Sequence, residues 1–93
     1  MTWYRLEVVR ETLRLDFGAA LAPSGIGRPN LEVWQRTVAG HVFVAFVRYE
    51  GEEFLVNQAV LLVAADALRV SPPSMLVDRI KARGGLWTGP SPT

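Results

Sequence analysis

Residues 41–50, with the sequence HVFVAFVRYE, constrain the fold of this chain more than any other stretch. The side chains from Val42 to Val47 are all apolar, so a strand at this position needs to be covered on both faces. Gly51 in the following sequence EGE is able to take the positive φ of a tight turn, and EFLVN then supplies a partner strand. We therefore predict a β-hairpin whose first strand lies in the interior of a sheet.

The length and composition bound the number of domains. Ninety-three residues, of which 49% are apolar, predict one folded domain spanning residues 1–93. A domain of this size buries only about 60% of the surface of its unfolded chain. An interface between two copies would bury more of it, so a homodimer is expected.

The N-terminal segment at 3–17, WYRLEVVRETLRLDF, contains two conflicting patterns. Apolar residues alternate on one parity in its first half and on the other parity in its second half, which predicts two short strands or one bulged strand. The aromatic and β-branched residues favour this strand interpretation. A helix is the alternative, because three apolar residues also stand at helical spacing, namely Leu6, Val9 and Leu13.

The segment at 18–30, GAALAPSGIGRPN, contains three glycines and two prolines in thirteen positions. Such a composition interrupts regular elements, so a flexible loop is expected here. The next segment, LEVWQRTV at 31–38, alternates in polarity. It predicts a half-buried strand with Trp34 beside Arg36 on its more polar face.

A first C-terminal helix is predicted to follow the hairpin. The strand is expected to end near residue 57, and apolar spacing with several alanines then predicts a helix to about residue 69. Asn57 is suited to cap the N-terminus of this helix. Continuation of the strand through 58–69 is the alternative.

A second helix is marked by residues at both of its ends. Ser71 is the predicted N-cap, Pro72 the first helical residue, and Gly84 the left-handed residue that ends the helix. The tail at 86–93 is expected to be loose, except that its first two residues fold back on this helix.

These elements together predict the α+β fold class. The predicted strands come before the helices along the chain, and the tight turn after residue 50 is typical of antiparallel pairing. We expect a small antiparallel sheet of three to five strands, followed by two short C-terminal helices.

The residue types argue against catalysis. The chain has no cysteine, and His41 is its only histidine, so no thiolate, metal site or nucleophile–base pair is expected. The glutamates at 50, 52 and 53 are interpreted as a solvated turn, and no glycine pattern suits a phosphate-binding loop. We predict a non-enzymatic protein without catalytic residues, cofactor, metal or small-molecule substrate.

No membrane segment is expected. The N-terminus carries charges at Arg5 and Glu7, which argues against a signal peptide. The longest uncharged run, Phe54 to Ala65, is too short to span a bilayer. The predicted location is therefore the cytoplasm.

The stretch at 64–84 resembles the helix-turn-helix of excisionase-like and antitoxin DNA-binding domains. That unit commonly reads Ala-Ala-x-x-Leu-x-Val-Ser at its first helix and turn, and then has a short second helix ending in glycine. The matching positions are Ala64, Ala65, Leu68, Val70, Ser71 and Gly84. The chain departs from the pattern at Arg69, where such turns usually carry glycine. The resemblance implies that residues 58–83 bind DNA.

A helical wheel of the second helix assigns roles to its faces. Pro73, Leu76, Val77 and Ile80 share the predicted buried face, and Asp78 lies on the opposite face, where a carboxylate suits phosphates poorly. If the resemblance holds, the DNA contacts are made by Arg69, Ser71, Ser74, Arg79, Lys81 and Arg83. The alternative is that both helices only cover the sheet.

A second candidate surface combines aromatic residues with arginines. It consists of Trp34, Arg36, Arg48, Tyr49 and Trp87. Aromatic residues interleaved with arginines are able to stack the bases of a nucleic acid, and the tryptophans are alternatively anchors of a protein interface. The net charge of +1 does not demand a nucleic-acid partner. We therefore predict a small regulatory protein that binds DNA, dimeric in form, with a protein-binding or self-assembling module of the phage, antitoxin or inhibitor type as the alternative.

Overall fold

The computed structural model describes the backbone of residues 2–28, 31–36, 42–48 and 54–91, and the side chains of residues 2–21 and 54–91. It confirms the mixed α+β class. The elements in chain order are β1 (Trp3–Arg5), α1 (Leu6–Phe17), β2 (Leu21–Arg28), β3 (Leu31–Arg36), β4 (Val42–Arg48), β5 (Phe54–Asn57), α2 (Gln58–Ala67) and α3 (Ser74–Ala82).

The strands pair in the order β1-β5-β4-β3-β2, and every pair is antiparallel. Val47 of β4 lies opposite Leu55 of β5, and Val56 of β5 lies opposite Tyr4 of β1. The pairing of β4 with β5 is the one predicted for the hairpin, while its turn at residues 50–52 lies outside the described residues. β5 therefore connects the N-terminal strand to the rest of the sheet.

The preference for strands at 3–17 is wrong. Only Trp3–Arg5 is a strand, and the chain then forms the twelve-residue helix α1. The residues at helical spacing, Leu6, Val9 and Leu13, are all buried. They pack against the sheet and α3, so tertiary packing outweighs the strand propensity of the aromatic and β-branched residues.

The irregular segment expected at 18–30 contains the strand β2. Its pairing with β3 is interrupted between Pro23 and Gly27, where the register shifts. β2 is an outer strand of the sheet, and such a strand tolerates proline and glycine because one of its edges makes no ladder hydrogen bonds. Composition therefore predicted the irregularity but missed the strand around it.

The boundary between β5 and α2 is confirmed. The strand ends at Asn57, whose side chain accepts a hydrogen bond from the Ala59 N–H at 2.7 Å, and the helix runs from Gln58 to Ala67. The continued-strand alternative at 58–69 is wrong. After the helix, Arg69 has a φ of 59°, so a non-glycine residue takes the left-handed conformation.

The predicted start of the second helix is wrong, and its end is confirmed. α3 begins at Ser74 with no side-chain cap, three residues after Ser71. Pro72 precedes another proline, and a residue in that position is disfavoured in the helical region, which delays the start. At the other end Gly84 has a φ of 77°, and its N–H donates to the Lys81 carbonyl at 3.0 Å.

The core lies among the three helices and β1 and β5. Its buried residues include Tyr4, Leu6, Val9, Leu13, Val56, Leu61, Ala64, Ala65, Leu76, Val77 and Ile80. Burial, and then the negative charge of Asp78, raises the pKa of the Tyr4 hydroxyl. This hydroxyl therefore stays protonated and donates to Gln58 Oε1 at 2.8 Å, which satisfies it inside the core.

The first residues of the tail pair with the outer edge of β1, a pairing that the sequence did not predict. The Arg5 N–H donates to the Gly85 carbonyl at 2.8 Å, and the Trp87 N–H donates to the Trp3 carbonyl at 2.9 Å. β1 is an outer strand, so no other strand pairs with one of its edges. The tail supplies hydrogen-bond partners for the backbone groups on that edge. The Arg5 guanidinium also lies 5.6 Å from the centre of the Trp87 ring.

Candidate functional site

An ion-pair cluster joins the C-terminal ends of α1 and α3. Arg83 donates two hydrogen bonds to Asp16, from Nη1 to Oδ2 at 2.7 Å and from Nη2 to Oδ1 at 2.8 Å. Arg79 Nη1 lies 3.4 Å from the same Oδ2 atom. We call these three residues the Asp16 cluster. Because arginine matches both carboxylate oxygens, the contact to Arg83 is the stronger of the two.

Packing of α1 against α3 brings the cluster together. Arg79 and Arg83 are four residues apart, so they lie on the same side at the C-terminal end of α3. The Asp16 side chain is only 13% exposed, whereas that of Arg79 is 50% exposed. A carboxylate in the last turn of a helix is unfavourable by itself, and the two arginines compensate for it.

The cluster shifts the pKa values of its members. The hydrogen bond from Arg83 is the main reason that the pKa of Asp16 lies below its usual range; the positive charges of Arg83 and Arg79 lower it further against the opposing effect of desolvation. The hydrogen bond with Asp16 likewise raises the pKa of Arg83. Asp16 is therefore ionised at neutral pH and occupies the arginines on its side.

This geometry bears directly on the predicted DNA contacts. Two of the four predicted cations, Arg79 and Arg83, point to a carboxylate of the same chain. The other predicted contacts are exposed, in the connection between the helices or on α3: Arg69, Ser71, Ser74 and Lys81. Asp78 is exposed on α3 as well. The predicted set thus consists of two arginines that are paired with Asp16 and four residues that are not.

An open groove of about 570 Å³ lies beside the Asp16 cluster. Its lining residues are Asp16, Pro72, Met75, Asp78, Arg79, Ala82 and Arg83. The two carboxylates balance the two guanidinium groups, so the groove offers no excess of either charge. A groove of this kind selects neither an anion nor a cation by charge alone.

The outward side of α2 has a different character. Five residues with the spacing of one helix face are exposed, namely Ala59, Leu62, Val63, Asp66 and Ala67. We call this set the outer α2 face. Val63 is 65% exposed and Leu62 38% exposed, and Asp66 is the only charged residue of the whole helix. The face is therefore a nearly uncharged surface with two large apolar side chains.

The two residue groups were missed at the sequence level for different reasons. Asp16 lies in a segment whose pattern favours strands, and this pattern predicts no partner for it on α3. Leu62 and Val63 lie in a helix that, in one interpretation of the sequence, only covers the sheet. The available signal was the composition QAVLLVAADA, because a helix that is apolar on all sides needs cover on all sides.

The alternative surface of aromatic residues and arginines is spread over the sheet. Arg36 lies opposite Val42 at one end of β4, and Arg48 is at the other end of β4. At about 3.3 Å per residue, their backbones are roughly 20 Å apart. Trp87 lies beside β1 on the far side of β5, and Tyr49 lies outside the described residues.

Other site types have no counterpart in residues 2–28, 31–36, 42–48 and 54–91. No group of three or more histidine, aspartate or glutamate side chains is placed to hold a metal ion there. None of the three helices in these ranges has the length and apolar character needed to cross a membrane. His41 lies outside the described residues.

The chain was also compared with known proteins. No protein-family model, curated protein or solved structure matches it.

Proposed function

We propose that this protein is a non-enzymatic interaction module that binds another protein through the outer α2 face. The observation that carries the proposal is the exposure of Leu62 and Val63 on a helix with one charged residue. Contiguous apolar surface on a folded domain is typical of protein-binding sites. Burial of such side chains contributes about 25 cal/mol per Å² of apolar area removed from water.

The rest of the chain serves as the scaffold in this proposal. Residues 1–93 form one domain, in which an antiparallel sheet of three to five strands and two short C-terminal helices hold the outer α2 face in position. The protein acts in the cytoplasm as a regulator and uses no cofactor or metal. The support for this role is that α2 is held by its inner face, where Leu61, Ala64 and Ala65 are buried.

Photo-crosslinking in cells that express the protein tests the proposal. A benzophenone amino acid at position 63 is expected to give a discrete protein adduct, because the partner covers this position. The matched control carries the same probe at position 15, since Leu15 is an exposed apolar residue on α1, 53% exposed. Equal adducts at both positions, or none at position 63, would contradict a binding site on α2.

DNA binding through residues 58–83 is the second candidate function. The observation that favours it is the packing of α2 against α3 across a short connection, with Arg69, Ser71, Ser74 and Lys81 exposed along it. In this candidate the exposed residues make the first contacts. Arg79 and Arg83 join them when a phosphate competes with Asp16.

The Asp16 cluster supplies a sharp test of this candidate. Asp16→Asn removes the competing carboxylate, so two arginines are released and affinity for duplex DNA should rise at least several-fold at low salt. Fluorescence anisotropy with random duplex DNA at two salt concentrations measures the effect. Absence of binding at low salt in both the parent and the variant would remove the candidate.

A further inference from the structure

The outer α2 face has an uneven distribution of charge along its axis. Asp66 lies in the last turn of α2, where the carbonyl ends of the helix already make the environment negative, and this turn contains no basic residue. The first turn contains no acidic residue, so α2 itself places no negative side chain at the positive end of its dipole. Within α2 itself, neither end therefore carries the side-chain charge that would stabilise it.

An antiparallel α2 helix from a second copy would compensate the unfavourable electrostatics at both ends of the helix. With a two-fold axis between Leu62 and Val63, each Leu62 faces Val63 of the other copy, and each Asp66 faces Ala59 of the other copy. The carboxylate then lies at the N-terminal end of the opposing helix, where negative charge is stabilised. The large apolar residues meet in the middle, and one Asp66 carboxylate lies at each end of the interface.

The residue sizes fit this arrangement as well. Ala59 and Ala67 occupy the two ends of the face, so no large side chain holds the helices apart there. Helices that pack through small residues approach at the short end of the usual interaxial range of about 8–10 Å. A close approach lets Leu62 and Val63 bury their exposed surface against each other.

We infer that the protein forms a two-fold symmetric homodimer in which the outer α2 faces pack antiparallel. This inference rests on the proposed function and names the partner as a second copy of the chain. The face of a ten-residue helix is smaller than the roughly 800 Å² per partner of a stable complex. The dimer is therefore weak and reversible, with a dissociation constant on the order of 0.1 mM.

Sedimentation equilibrium of the full chain, from about 10 µM to about 1 mM, tests for the dimer across that dissociation constant. The mean mass is expected to rise from monomer to dimer over this range. Val63→Glu should raise the dissociation constant at least about tenfold, because it places a carboxylate at the centre of the interface. Leu15→Glu, the matched control on α1, should leave it unchanged. Circular dichroism confirms that both variants remain folded.

Single cysteines test the antiparallel geometry, since the chain has none of its own. Oxidation of Val63→Cys should give a disulfide-linked dimer at high yield, because position 63 lies next to the axis. Ala59→Cys and Ala67→Cys should not crosslink alone, because antiparallel packing puts each far from its own copy. Equal crosslinking at all three positions indicates parallel or nonspecific contact and overturns the antiparallel arrangement.

The outcomes separate this inference from the proposed function. A chain that stays monomeric at about 1 mM overturns the homodimer, whose expected dissociation constant is lower. The proposed function still stands in that case if the probe at position 63 crosslinks a different protein in cells. Loss of the dimer in Leu15→Glu but not in Val63→Glu places the interface elsewhere and overturns the inference.

Discussion

α2 and α3 are alike on their inner sides and unlike on their outer sides. Each is about ten residues long and buries three residues in the core. The outer side of α3 carries charged residues, and two of its arginines are held by Asp16 of α1. The outer side of α2 carries Leu62, Val63 and a single charge. The two helices thus share a structural role and differ in what they offer to a partner.

This difference explains why we place the interaction site on α2. A charged surface whose ion pairs lie within the chain is well solvated, so covering it with a partner gains little free energy. An exposed apolar surface gains free energy when a partner removes it from water. The helix-turn-helix resemblance would instead favour α3, because α3 corresponds to the second helix of that unit, which is the one that reads DNA. In this chain the exposed large apolar side chains of the pair lie on α2, its first helix.

The largest expected effects come from the shared inner sides. Leu61→Ala in α2 and Leu76→Ala in α3 remove equally buried leucines, 1% and 0% exposed, so each should lower the free energy of unfolding by about 2–5 kcal/mol. Urea denaturation measures both. A loss below about 1 kcal/mol at either site would show that this helix is not part of the common core.

The helix ends should respond in opposite directions. Gly84→Ala places a Cβ on a residue with a φ of 77°, so it should lower the free energy of unfolding by about 1 kcal/mol. Arg69→Gly removes a Cβ from a residue with a φ of 59° and should raise it by up to about 1 kcal/mol. Apart from Gly84 itself and its two chain neighbours, no described residue has an atom within 4 Å of a Cβ placed there, so the first change tests conformation without a clash. Equal signs in thermal unfolding would contradict this account.

The smallest expected effect concerns the Asp16 cluster. The folded state lowers the pKa of Asp16, so the cluster contributes stability above the ordinary pKa of an aspartate and loses it as the pH falls through the lowered value. Asp16→Asn should lower the melting temperature at pH 7 by no more than about 5 °C, because the pair is close to solvent. The gap between parent and variant should close in strong acid, and a gap that widens there would contradict the ion pair.

Local signals in the sequence predicted several elements because they act over a few residues. Asn57 caps the helix that follows it, and Gly84 takes the left-handed conformation that ends α3. The apolar spacing of Leu76, Val77 and Ile80 identified the buried side of α3. The predictions were wrong where local signals conflicted. The pair Pro72–Pro73 delays the start of α3, and the strand propensity of residues 3–17 favoured strands where α1 forms.

By itself, the sequence determined the mixed α+β class, the start of α2, the end of α3 and the buried side of α3. Only the tertiary structure decided that 6–17 is a helix, where Arg79 and Arg83 point, and which apolar residues of α2 remain exposed. The Arg83–Asp16 contact joins residues 67 positions apart, so no local pattern contains it. Exposure of Leu62 and Val63 depends on which side of α2 meets the sheet, and that is settled only when all layers of the domain pack together.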